Sequence, residues 1–175
     1  MEWDIANIGE SAFDTLSLPG LDPLEQRLFT DGRQVVTWHN DGGKGMVLRR
    51  RDLWEQRDLW EQRFDLNSKP WPVGQSGIAV MERRGRFTFW NATNGAAQID
   101  VMLKPEQNLS ELVVYPFPDR LVAIVNRPPR GADGFNMHAL PQGSSGLNAV
   151  NGMAYGFDRM TGKLVWELAV DKRSI

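Results

Sequence analysis

Apolar residues in this chain rarely recur at helical spacing. They fall instead in runs of four or five, cut by turn residues. Residues 27–30 and 34–38 flank Asp31-Gly32-Arg33, and Asp-Gly between apolar runs is a hairpin signal because both residues tolerate positive φ. Residues 78–81 and 87–90 flank an Arg83-Arg84-Gly85-Arg86 turn, and 112–115 and 121–125 flank Pro116-Phe117-Pro118-Asp119-Arg120. Residues 153–157 and 164–170 flank the turn from Asp158 to Lys163. The pattern predicts an all-β chain of antiparallel hairpins.

Two segments stand outside it. Residues 1–23 contain Pro19-Gly20 and Asp22-Pro23 and read as an irregular lead-in, or as the last strand of something upstream. Residues 127–148 are dominated by Gly, Pro and Ser and predict a long surface loop, either functional or mobile. A third stretch is ambiguous. The hexamer Arg-Asp-Leu-Trp-Glu-Gln is written twice in succession over 51–62. Its composition favours a helix, but a six-residue period fits neither helical turns nor a heptad. Strand is the expectation there, with helix as the alternative.

A repeat emerges when these hairpins are aligned. Asp158 ends an apolar run, Thr161-Gly162 follow at three and four residues on, and Trp166 stands eight residues on. Asp52 is followed by Trp60 at the same spacing, with Glu55-Gln56 at the turn. Asn91 is followed by Asn94-Gly95, and then by Ile99 at eight. An Asp or Asn at a strand end accepts hydrogen bonds from the next turn, and glycine supplies the positive φ that a turn with a bulge requires. A large residue in the returning strand covers apolar area between neighbouring sheets, and an indole there needs an acceptor for its N–H. Hairpin units recurring at intervals of about forty residues are what a β-propeller uses. The intervals here are 39 and 67 residues, the second lengthened by the 127–148 loop.

The unit from Gly156 to Trp166 resembles the tryptophan-docking motif of quinoprotein-type (PQQ-like) β-propeller repeats, Ala-x-Asp-x-x-Thr-Gly-Lys-x-x-Trp. Asp158, Thr161, Gly162, Lys163 and Trp166 match it, and Gly156 replaces its alanine. The first unit keeps Asp52 and Trp60. The second keeps the turn glycine, Gly95, with Asn91 for aspartate and Ile99 for tryptophan. The resemblance implies an incomplete β-propeller of about three four-stranded antiparallel blades, over 24–67, 70–104 and 109–175, within a propeller region spanning 24–175. It also implies that the nine residues Asp52, Trp60, Asn91, Gly95, Asp158, Thr161, Gly162, Lys163 and Trp166 serve blade docking and not chemistry. Propellers close with four to eight blades, so three leave sheet edges that invite association. A fragment of a larger propeller, a truncated product, or a ring completed by partners all fit.

Composition narrows the function. There is no cysteine, which removes disulfides and thiol chemistry. The net charge of −2 provides no basic field for nucleic acid. No stretch approaches the roughly 18 apolar residues of a membrane span. The first residues lack the basic and apolar regions of a signal peptide, although proteins with this motif are often found outside the cytoplasm. His39 and His138 have no metal-ligand neighbours at the right spacing. The glycine-rich Asp41-Gly42-Gly43-Lys44-Gly45 precedes a strand and not a helix, so it reads as a hairpin loop and not a phosphate cradle. Arg49-Arg50-Arg51 and Arg83-Arg84-Gly85-Arg86 read as solvated faces interleaved with acids, or as one anion patch if neighbouring blades align them. Asn91-Ala92-Thr93 and Asn108-Leu109-Ser110 match the glycosylation pattern, which is common by chance. No acid–base constellation is present, so the expectation is a non-catalytic scaffold that needs no cofactor. It would bind a protein partner or another ligand, or associate with itself through its exposed edges. Under the resemblance, the alternative is part of a PQQ-dependent oxidoreductase holding quinone and calcium.

Overall fold

In the computed structural model, which describes residues 25–128 and 149–174, every regular element is a β-strand. The predicted lead-in over 1–23 and residues 129–148 of the predicted 127–148 loop lie outside the described residues. The first sheet is a meander of β1 (Gln26–Asp31), β2 (Gln34–Asn40), β3 (Met46–Asp52) and β4 (Arg57–Phe64). The second is β5 (Pro70–Val73), β6 (Gly77–Met81), β7 (Arg86–Asn91) and β8 (Ala96–Met102). The third is β9 (Glu111–Pro116), β10 (Arg120–Asn126), β11 (Ala149–Asp158) and β12 (Leu164–Ser174). All pairings are antiparallel. Three consecutive four-stranded meanders packed face on face make an incomplete β-propeller.

The inner strands of the second sheet are buried on both faces, and their sequence shows why. Strand β6 is buried at every position. Ile78 and Val80 pack with Val36, Trp38, Leu48 and Phe64 of the first sheet. Ala79 and Met81 pack with Leu121, Ala123, Tyr155 and Phe157 of the third. A strand buried on both faces reads as a continuous apolar run and loses its alternation. Fully burying each large side chain contributes about 1.5–3 kcal/mol, so these two seams hold the sheets together. Aromatic rings join both. Phe64 meets Trp90 edge-on at 6.1 Å, and Phe87 stacks on Phe157 at 5.1 Å.

Two expectations are refined. The repeated hexamer forms no helix. Its first copy ends β3 at Asp52 and turns, whereas its second copy is the body of β4. The second sheet has a fourth strand, β5, carrying Pro70 and Pro72. Proline cannot donate to a ladder, and β5 pairs on one side only, with β6, so the missing donors face away from it.

Candidate functional site

The three turns between the third and fourth strands of each sheet share one geometry. At the first turn residue, the backbone N–H of Leu53, Ala92 and Arg159 donates to the carbonyl of Arg33, Ser76 and Asp119 respectively, each in the first hairpin of the same sheet. Asp52 Oδ1 accepts from the N–H groups of Trp54 and Glu55 at 3.0 and 3.1 Å. Asn91 Oδ1 accepts from Thr93 N–H at 2.8 Å. Asp158 Oδ1 accepts from both the N–H and the hydroxyl of Thr161, at 2.7 and 2.9 Å. The Thr161 donors, the backbone N–H first, hold the Asp158 carboxyl below the usual carboxylate range. Asp52 is lowered in the same way, first by the Glu55 N–H, with Arg33 Nε 2.9 Å away adding to it. Lys163 closes its turn through the backbone, its carbonyl accepting from Asp158 N–H at 3.0 Å.

Each turn is followed by a bulge in the same place. Register shifts fall between Arg50 and Arg51, between Phe89 and Trp90, and between Gly156 and Phe157. As a result Arg50 lies opposite Trp60, Phe89 opposite Ile99, and Gly156 opposite Trp166. The eight-residue spacing is therefore a four-residue turn, two ladder residues and one bulge residue, with the large residue eighth. It turns the large side chain toward the following sheet.

At the first seam, Trp60 lies against the turn of the second sheet. Its indole N–H donates to the carbonyl of Ala92 at 3.2 Å. A Cβ added to Gly95 would come within 2.5 Å of the ring. At the second seam Ile99 is 2% exposed, and a Cβ on Gly162 would meet the carbonyl oxygen of Gln98 at 2.6 Å. In the third sheet the Trp166 ring lies over Gly156, where an added Cβ would meet it at 2.2 Å. No described blade follows, and Trp166 is 39% exposed. Around it on β12, Val165 is 66% and Leu168 59% exposed, and Leu164 is exposed as well.

Of the sequence-predicted residues, the structure brings Trp60 and Gly95 together across a seam. Asn91 carries the turn that Trp60 meets. Asp158, Thr161, Gly162 and Lys163 form one turn, and Trp166 stands apart at the open face. Sequence reasoning missed Arg50 and Ala92. Arg50 is 5% exposed, and its guanidinium donates to Ala92 O at 3.1 Å and to Asp31 at 3.0 Å. Its place in the repeat frame, two residues before Asp52 where Phe89 and Gly156 stand, is a signal that it faces inward. It lines a cavity of about 520 Å³ between the first two sheets, with Asp31, Gln34, Gln75, Ser76 and Thr93.

The remaining candidates are taken up in pairs. Arg49 pairs with Glu25 and Asp58, Arg84 with Asp65, and Arg86 with Asp100, so these arginines face acids and not a bare anion patch. His39 Nδ1 lies 3.5 Å from Glu25. His138 lies outside the described residues. Asp41-Gly42-Gly43-Lys44-Gly45 closes the β2–β3 hairpin, with Asp41 N–H donating to Gly45 O at 2.9 Å. Among the described residues, no three His, Asp or Glu side chains converge to hold a metal ion. Nor is there a helix among them long and apolar enough to cross a membrane.

A scan of the sequence against protein-family models finds no match, and a search of curated proteins finds none. Solved structures do align. The computationally designed Ika8 protein does so over 83% of this chain and 36% of its own, at 13% identity and a TM-score of 0.48. The computationally designed Ika4 protein aligns over 90% and 78%, at 14% identity and 0.47. BamB from Moraxella catarrhalis aligns over 83% and 48%, at 17% identity and 0.35. This chain thus spans about a third of Ika8 and about half of BamB.

Proposed function

We propose that this chain is a non-catalytic β-propeller scaffold of the quinoprotein-repeat type, which engages a protein partner through the outer strand and outer face of its third blade. One observation carries the reading. Strand β4 closes its sheet with the charged residues Arg57, Asp58, Glu61 and Arg63, and β8 closes its sheet with Asp100 and one exposed apolar residue, Met102. The first half of the outer strand β12 instead exposes Leu164, Val165, Trp166 and Leu168 together, interrupted by Glu167, before its charged end Asp171-Lys172-Arg173. An apolar cluster of this kind on an edge strand is a template for association, and natural sheets blunt such edges with charge unless they use them. The nine motif residues serve this scaffold by fixing blade spacing, with Trp60 the docking side chain of the first seam.

The test is binding of the hydrophobic dye bis-ANS to the folded chain, with strand content followed by circular dichroism. Val165→Lys with Leu168→Lys is expected to remove most of the dye signal and leave the spectrum unchanged. Dye binding that survives this double substitution in a folded chain contradicts the surface.

A further inference from the structure

At each of the two seams between described blades, the turn that meets the preceding blade carries glycine at its fourth position. Gly95 has φ +67° and Gly162 has φ +67°. In both, a Cβ would collide with the blade before it, at 2.5 Å from Trp60 and 2.6 Å from Gln98 O. Contacts under about 3 Å are far inside van der Waals separation, so a side chain there forces the blades apart. The first blade has the same turn with the same frame, closed by Leu53 N–H on Arg33 O and by the Asp52 carboxylate. No described blade precedes it. At its fourth position stands Gln56, holding φ +51° despite its side chain. An L residue there carries a left-handed strain that glycine avoids. Glycine thus stands where a described blade is received, and glutamine where no described blade is.

The other end of the stack presents the complementary half of that contact. Trp166 occupies the place of Trp60 in its blade, opposite Gly156 as Trp60 is opposite Arg50, with no described turn against it. We infer that the Trp166 face accepts a further propeller blade whose turn carries glycine at the fourth position, and that Gln56 bars this chain's own first blade from that role. The inference rests on the reading of β12 as the interaction surface and specifies the partner. The occupant is a glycine-turn blade from outside residues 25–174 and not the first blade of a second copy. Gln56 is a specificity residue that keeps copies from joining head to tail.

Light scattering across a concentration series, with circular dichroism on the same samples, tests it. Wild type and Gln56→Asn, which keeps a Cβ and tolerates the left-handed conformation, are expected to hold the mass of one chain. Gln56→Gly is expected to rise with concentration to the mass of two or more chains. Adding Trp166→Ala to Gln56→Gly returns it to one. A Gln56→Gly chain that stays at single-chain mass overturns the inference. So does a wild-type oligomer that Trp166→Ala dissolves. That second result leaves β12 as the docking surface and removes only the role of Gln56. A failed dye test together with no assembly of Gln56→Gly removes both.

Discussion

The indole N–H of Trp60 reaches across the first seam to the carbonyl of Ala92, 3.2 Å away and 32 residues on. The same carbonyl accepts from Arg50, the cross-strand neighbour of Trp60. One backbone oxygen of the second blade is thereby held by two side chains of the first. Docking depends on that oxygen and on the bare Gly95 beside it.

Gly95→Ala places a methyl group 2.5 Å from the Trp60 ring and imposes a side chain on a backbone with φ +67°. Overpacking and left-handed strain together predict a loss of about 2–4 kcal/mol. Urea denaturation checks it. An exposed glycine of positive φ with open space around it, Gly32, gives the comparison, since Gly32→Ala adds strain without collision and is expected to cost about 1–2 kcal/mol.

Trp60→Ala opens a void at the seam and is expected to cost about 3 kcal/mol, the low end for a large aromatic because Trp60 is only partly buried. Trp60→Phe keeps much of the area and loses the indole donor. Arg50 still satisfies Ala92 O, so the remaining loss is about 1 kcal/mol. Equal losses for the two substitutions would mean that the ring contributes nothing by its area.

The Asp158 turn makes stability depend on acid. Its folded-state carboxyl is held below the unfolded value of about 3.9, so the unfolded chain binds the proton more readily. The turn's contribution is complete above about pH 5 and disappears as the pH falls through the lowered folded value. Asn91 builds the equivalent turn without a charge. Asp158→Asn is therefore expected to fold, and its stability difference from wild type is expected to shrink below pH 4. A difference that stays constant from pH 7 to pH 3, measured by denaturation at each pH, would contradict this.

Much of the fold is legible in the residues because turn chemistry is local. Asp158-Arg159-Met160-Thr161-Gly162 carries its acceptor, donors and positive-φ residue within five positions, and the eight-residue step to Trp166 follows from one bulge. What was not legible depends on distant neighbours. Arg-Asp-Leu-Trp-Glu-Gln is a turn at its first occurrence and a strand at its second. No local rule separates the copies. Asp52 is buried, paired with Arg33 and capping its turn, while Asp58 lies opposite Arg51 in the ladder. Strand β5 was obscured by Pro70 and Pro72, which are tolerable only because one side of it is unpaired. Arg50 sits in a run of three arginines that reads as a solvated face. It is buried because the repeat frame, and not its composition, sets its direction. No turn among the described residues packs against Trp166, and the proposed partner there takes its form only from the comparison of Gln56 with Gly95 and Gly162.

The most direct test of the account is nuclear Overhauser contact between the Trp60 indole protons and the Gly95 α-protons. The exchange rate of the Trp60 indole N–H would be measured on the same sample. Blade docking predicts strong cross-peaks and an indole proton exchanging far more slowly than that of Trp54, which is 83% exposed and serves as the internal reference. Absent cross-peaks, with Trp60 exchanging as fast as Trp54, would mean that the first two sheets are not joined through this contact.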